Sequence, residues 1–287
     1  MKSRRQLPDR SSWVLALVMA GLVFAGVLIG SFIRAADNSF ICSLASKKFR
    51  AAAEYASTPA QLQAIVHYAT SRTTPQQNIY EISETLGVFR GRNFAPANFL
   101  VFGLGFDSLM WSALNPQGKT IFLEEDPSWV KSVLKDAPLL DARTVQYRTQ
   151  LKEADDLLNS YKKEPMCSPA KAYLDGNYAC PLALTGLPEE VYATEWDLIM
   201  IDAPRGYFPE APGRMAAIFS AAVMARARKG SGVTHVLLHD VDRKVEKTFA
   251  EEFLCQKYLV KGVGRLWHFE IPPAANVTEQ DENSWFC

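Results

Sequence analysis

Asp202, His239 and Asp240 are the residues of this chain best placed to move a proton, because each follows directly on a short apolar run. Continuous runs such as Leu198-Ile199-Met200-Ile201 and Val236-Leu237-Leu238 are what strands covered on both faces look like. In an open α/β sheet, ligands bind beyond the carboxyl ends of the strands, which is where these polar residues fall. Asp202 or His239 could accept a hydroxyl proton while Asp240 orients the imidazole. Alternatively, Asp202, Asp240 and Asp242 could hold a hard divalent cation that lowers the hydroxyl pKa. The sequence leaves base and metal both open, and the plainer readings are a turn cap at Asp202 and a core imidazole at His239. The loop after Asp202 carries Arg205 and Arg214, whose guanidiniums suit bidentate carboxylate recognition, or a simple pairing with Glu210 or solvent. Tyr207 and Phe208 in the same loop could stack on a sugar ring or pack in the core.

A second group belongs to the first half of the sheet. The run Phe99-Leu100-Val101-Phe102 enters a turn at Gly103-Leu104-Gly105, a helical segment follows, and a second apolar run closes on Glu124-Glu125-Asp126. Glycines let the backbone approach a ligand with no Cβ in the way. A carboxylate about twenty residues on, at the tip of the next strand, can accept hydrogen bonds from both hydroxyls of a ribose, and Glu125 is the first choice for that role, with Glu124 and Asp126 the alternatives. Phe106-Asp107-Ser108 stands where dinucleotide folds place a third glycine against a pyrophosphate, so the ligand indicated is a nucleoside without a diphosphate. S-adenosylmethionine fits. A tight strand-to-helix turn with an acidic tip is the reading without a ligand.

The elements that must position these residues form a parallel α/β series. Thr144–Tyr147 is expected as a third strand and Leu151–Tyr161 as a helix; 198–201 and 234–239 are buried strands. Met215 to about Arg228 and Lys244–Leu254 are helices, and Tyr258–Val263 with Arg265–Ile271, joined at Gly264, form a terminal hairpin. A mostly parallel sheet closed by an antiparallel hairpin is the layout of the Rossmann-like class I methyltransferase fold. Residues 93–273 are assigned to that domain, 34–92 to a stem and helical lead-in, and 274–287 to a loose polar tail.

Ahead of these lies a tail, residues 1–12, containing Lys2, Arg4, Arg5 and Arg10, and then an uncharged apolar run from Trp13 to Ile33. That run matches the ~20 residues needed to cross a bilayer. The basic cluster holds the tail in the cytosol, giving a single-pass type II protein with its catalytic domain on the luminal side; a cleaved signal peptide ending near Ala35-Ala36 is the alternative. The chain is 287 residues long with 31 basic and 31 acidic side chains, a balance that gives no reason to expect nucleic-acid binding. Its five cysteines include no closely spaced zinc pair. Cys167 and Cys180 bracket a turn-rich insert and are the candidate disulfide in an oxidising lumen, free buried thiols being the alternative. Asn276-Val277-Thr278 is a glycosylation sequon if that side is luminal.

The runs 99–111, 122–126, 196–215, 235–246 and 264–272 resemble, in order, the plant glucuronoxylan 4-O-methyltransferase-like family, with Asp202-Ala203-Pro204-Arg205-Gly206-Tyr207 and Glu210-Ala211-Pro212-Gly213-Arg214-Met215 the most specific. The resemblance implies a Golgi membrane enzyme that moves a methyl group from S-adenosylmethionine to O4 of glucuronic acid on a wall polysaccharide. It implies Gly103, Gly105, Asp107 and Glu125 at the cofactor. The segments 147–150 and 180–188 look more like the branch acting on arabinogalactan side chains than the glucuronoxylan branch. Many relatives carry His where this chain has Phe106, which bears on the detail of a contact to cofactor or substrate. Two other readings are a metal-dependent Golgi glycosyltransferase, suggested by Asp240-Val241-Asp242, and a non-catalytic protein of xylan biosynthesis. The sequence does not speak to oligomeric state.

Overall fold

A computed structural model describes residues 58–72, 74–169, 171–274 and 286–287. The basic tail, the apolar run 13–33, Cys42 and the Asn276 sequon lie outside the described residues. Among the described residues no helix is long and apolar enough to cross a membrane.

Thr58–Cys287 forms one compact unit. Its elements are, in order, α1 (Pro59–Thr70), α2 (Ile79–Gly91), β1 (Asn98–Phe102), α3 (Ser108–Leu114), β2 (Lys119–Glu124), α4 (Pro127–Asp136), β3 (Asp141–Thr144), α5 (Ala154–Ser160), α6 (Glu189–Ala193), β4 (Leu198–Ile201), α7 (Met215–Arg226), β5 (Thr234–Leu238), α8 (Lys244–Phe249), β6 (Leu259–Val263) and β7 (Leu266–Ile271). The seven strands run in the order β3-β2-β1-β4-β5-β7-β6. β1 to β5 are parallel, and β7 is antiparallel to both β5 and β6. This methyltransferase-like layout puts a crossover at β1/β4, where the connections leave in opposite directions and a crevice opens.

The core explains the strands. Leu198 to Ile201 and Val236 to Leu238 are fully buried, and one face of the sheet packs under α7, whose residues are buried nearly all round. A helix that is apolar on every side is stable only inside the protein. The opposite face packs Phe99, Val101, Met200 and Leu237 with Val88 and Phe89 of α2.

Four expectations shift. The lead-in helices belong to the folded unit, whose boundary falls at Thr58 and not near 93; capping boxes at Thr58 and Asn78 start them firmly. The third strand is Asp141–Thr144, because its pairing with Ile121–Glu124 ends there, and Tyr147 turns inward instead of extending the edge. The helix after Lys244 continues past Phe249 as a π-helical turn, Ala250–Cys255. The end of the chain is anchored: Phe286 is buried against Phe219 and Phe253, and Cys287 is disulfide-bonded to Cys255. Cys167 and Cys180 form a second disulfide.

Candidate active site

A cavity of about 590 Å³ opens beyond the carboxyl ends of the parallel strands. Gly103, Gly105, Asp107, Glu125, Asp202, Arg205, Tyr207, Arg214, His239 and Asp240 all line it. Asp242 does not: it is exposed, two residues beyond Asp240 in a turn, so the acidic pair expected to grip a metal or sugar nucleotide does not converge.

The first half of the crevice is built from main chain and acids. Gly103 adopts φ +126°, and a Cβ there would lie 3.2 Å from the Ala203 Cβ, so both conformation and space call for glycine. Asp107 is nearly buried and accepts hydrogen bonds from the Gln76 and Gln77 backbone N–H groups at 2.7 and 3.3 Å, which ties the lead-in to the glycine turn. Glu124 accepts from the Leu104 and Asp126 N–H groups at 3.1 and 3.2 Å. Burial, followed by the neighbouring Glu125 charge, pushes its carboxyl up to about 7. Glu125 receives the Arg205 backbone N–H and Nε at 3.1 and 3.0 Å, both on Oε1. Its Oε2 is buried without a hydrogen-bond partner, and so is the Tyr147 hydroxyl. An unpaired buried carboxylate oxygen is costly, and a ribose hydroxyl would satisfy it. The cradle at Gly103 and this orphan oxygen fit the nucleoside of S-adenosylmethionine.

The second half is a charge cluster. Backbone bonds Asp202 N to Phe102 O and His239 N to Ile201 O hold the two tips side by side. His239 Nδ1 lies 3.0 Å from Asp202 Oδ1 and 3.4 Å from Asp240 Oδ1, and its Nε2 lies 3.6 Å from Glu81 Oε2. Burial alone would strip the imidazole of its proton, but the Asp202 hydrogen bond and the Asp202 and Asp240 charges outweigh it, so the His239 pKa is raised. Burial likewise works against the Asp202 charge, yet the His239 hydrogen bond and the Arg214 charge hold its pKa below the ordinary value. Each partner therefore favours the charged form of the other. Asp240 sits in the left-handed region at φ +60°, a conformation that Asp tolerates and that aims its carboxylate back into the cluster.

Arg214 does not serve as the carboxylate-binding arginine expected of it. It is 4% exposed and donates to the carbonyls of Pro204, His239 and Asp202 and to the carboxylates of Asp202 and Asp240. All three of its guanidinium nitrogens donate within the protein. Arg205 also falls elsewhere, paired with Glu125 and Asp126 over the first half of the crevice. The residues that loop position alone did not reveal are Arg243 and Arg265. Arg243 Nη2 lies 3.0 Å and Arg265 Nη1 2.5 Å from Asp240, and both line the cavity. Arg265 is about half exposed, and only its Nη1 is bonded among the described residues, which leaves Nε and Nη2 for a ligand. Gln77 and Glu81 were also missed: the N3 glutamate of the α2 capping box reaches across to accept the Arg265 N–H at 2.8 Å.

Asp202, His239 and Asp240 offer atoms within 4.8 Å of one another for a cation. Three guanidiniums already occupy Asp240, however, so Asp202 is the carboxylate able to meet an ion in the cavity. A resident divalent metal therefore fits poorly unless an arginine withdraws, whereas proton transfer needs no rearrangement.

Residues 80–269 match the IRX15/IRX15L/GXM family model. Arabinogalactan O-methyltransferase 1 of Arabidopsis thaliana is 63% identical over 287 residues, covering 98% of this chain and 99% of that protein. Glucuronoxylan 4-O-methyltransferase 1 of the same plant is 49% identical over 226 residues, 78% of each chain. Protein IRX15-LIKE is 36% identical over 230 residues, covering 79% of this chain and 70% of that one.

Proposed function

This chain belongs to the IRX15/IRX15L/GXM family, and on that premise we propose that it is an S-adenosylmethionine-dependent O-methyltransferase acting at O4 of glucuronic acid on arabinogalactan side chains. The acceptor branch rests on likeness: the arabinogalactan relative matches at 63% along nearly the whole chain, the glucuronoxylan relative at 49% along about three-quarters of it. The observation that carries the reading is the Asp202 carboxylate, about a quarter exposed to the same cavity into which the glycine turn and Glu125 open.

The donor supplies an electrophilic methyl carbon and leaves as a neutral thioether. The protein then has two tasks, alignment and removal of the hydroxyl proton. Asp202 accepts that proton through Oδ2, its oxygen turned away from His239 and Arg214; the O–C bond forms as the sulfur–carbon bond breaks. His239, 3.0 Å from Asp202 Oδ1 through Nδ1, fixes the carboxylate, and its protonated form compensates the charge. Asp240 gathers the arginines, and Arg265 with Arg243 meets the glucuronate carboxylate. Tyr207, exposed at the rim with Phe208, offers a face to the sugar.

The proposal includes a Golgi membrane location with the catalytic domain luminal, on the basis of the basic tail and the apolar run 13–33; two disulfides support an oxidising compartment. Transfer of labelled methyl by the full chain, offered glucuronate-bearing arabinogalactan and glucuronoxylan side by side, tests the reading. Label at O4 of glucuronate on the first is expected. Cofactor binding without label on either would refute the acceptor assignment.

A further inference from the structure

At the far end of β5 from the crevice, a second cluster stands independent of methyl transfer. His235 pairs across the sheet with Glu270, and Leu237 with His268, so the two histidines and Glu270 share the sheet face that α2 covers. His235 Nδ1 lies 3.0 Å from His268 Nε2 and 3.7 Å from Glu270 Oε1. One ligand atom from each of the three lies within 4.8 Å of the other two.

Glu84 of α2 organises the group. Its Oε1 is 2.8 Å from His268 Nδ1, and its Oε2 accepts from Lys261 Nζ at 2.6 Å. A carboxylate accepting a hydrogen bond from Nδ1–H keeps the proton on that nitrogen and leaves the Nε2 lone pair facing His235. This is how the outer carboxylate of a metal-bound histidine fixes its tautomer and direction. Two imidazole nitrogens brought so close need a proton or a cation between them.

We propose that His235, His268 and Glu270 form a binding site for one zinc-type divalent cation, with a water in the fourth position. Two nitrogens and one carboxylate favour zinc over magnesium or calcium, which take oxygen. Nitrogens about 2.0–2.1 Å from a tetrahedral ion sit about 3.3 Å apart, so the rings need only part by a few tenths of an ångström. Glu270 is about half exposed and His235 partly so, which gives an ion a way in. The nearby Arg92 and Arg228 do not oppose it strongly, since each is drawn to Asp197 at 3.3 Å. The bound ion would clamp β5, the terminal hairpin and, through Glu84, α2.

The test uses the full-length chain in detergent, stripped with chelator and titrated with zinc ion alone, by calorimetry and by thermal unfolding. One ion per chain is expected, with the unfolding midpoint raised by roughly several degrees at saturation. Affinity should fall at least about 10-fold in His235→Asn and in His268→Gln and stay unchanged in Asp202→Asn, which separates this site from the cavity. Glu270→Gln, at an exposed position that keeps the fold, should weaken binding as well. Unchanged affinity in all three site variants, loss of binding in Asp202→Asn alone, or no binding below millimolar zinc would each overturn the proposal and leave a shared proton between the rings.

Discussion

The two halves of the crevice meet at the β1/β4 crossover but are made differently. Around Gly103 and Glu125 the N–H groups of the glycine turn are all bonded inside the protein, Gly103 to the Leu123 carbonyl, Leu104 to Glu124 and Gly105 to the Ser108 hydroxyl, and what remains is one carboxylate oxygen without a partner. Around Asp202 and Asp240 charged side chains face one another: the guanidiniums of Arg214, Arg243 and Arg265 and the His239 imidazole against the carboxylates of Asp202, Asp240, Glu81 and Glu246. The first half is incomplete without a neutral polar ligand such as a ribose. The second matches most of its charge internally, although the buried His239 Nε2 has no hydrogen bond among the described residues, and it presents to the cavity the Asp202 Oδ2 edge, 3.5 Å from Gln77 Nε2, and the free edge of Arg265. A cofactor that every turnover needs is held by an unmet demand, whereas an acceptor is met by a rigid, compensated charge lattice that needs little reorganisation during reaction.

The sharpest way to break this contrast is Arg214→Gln. If Arg214 locks the second half, its removal takes one guanidinium from both Asp202 and Asp240, leaves the buried Pro204 and His239 carbonyls without that donor, and should cost about 3–5 kcal/mol of stability in denaturant titration. Unchanged stability with weakened acceptor binding would return Arg214 to the substrate and erase the distinction between it and Arg265.

Asp202→Asn is expected to lower turnover by about 10²–10⁴-fold while the fold and cofactor affinity persist. Labelled-methyl kinetics alongside cofactor calorimetry check it, and retained turnover would move the proton acceptor elsewhere. A milder, paired test assigns each half its ligand. Arg265→Gln should raise KM for the glucuronate acceptor roughly 10–100-fold with cofactor binding intact, and Glu125→Gln should weaken the cofactor by about the same factor with acceptor KM intact. Crossed effects would show that the halves do not work separately.

What the sequence revealed divides along the same line. Gly103, Asp202 and His239 could be placed because a strand end is visible as an apolar run that stops, and parallel topology brings such ends together. Arg214 could not, because its loop looks the same whether the guanidinium faces substrate or lies under the cis Ala203–Pro204 turn. Burial of a loop residue depends on packing across chain segments that are distant in sequence. Arg265 and Glu81 were hidden for the same reason: one follows the hairpin glycine, the other is the N3 residue of a capping box, and each has a local role that explains it fully. The C-terminal anchor was missed because a polar tail ending in Phe286-Cys287 reads as loose until Cys255 is found beside it. The terminal hairpin and the strand runs themselves were plain from period and punctuation.

The smallest effect concerns Glu124, which lies beneath the glycine turn and is pushed up to about 7 by burial and then by Glu125, from an ordinary value of 4.5. Because the folded value is the higher, the folded chain holds this proton longer than the unfolded one. Its contribution to stability is therefore full below about pH 4.5 and is lost as pH rises through about 7. Glu124→Gln should flatten that part of the stability profile. The same titration acts on the cofactor half alone. A carboxylate forming at Glu124 adds negative charge near a ligand whose sulfonium is positive, so cofactor affinity should rise a few-fold between about pH 6 and 8. In Glu124→Gln the rise should vanish, while the acceptor KM of both proteins follows one common pH curve. A rise that survives the substitution would place the titrating group in the Asp202 cluster, and the two halves would then share their electrostatics after all.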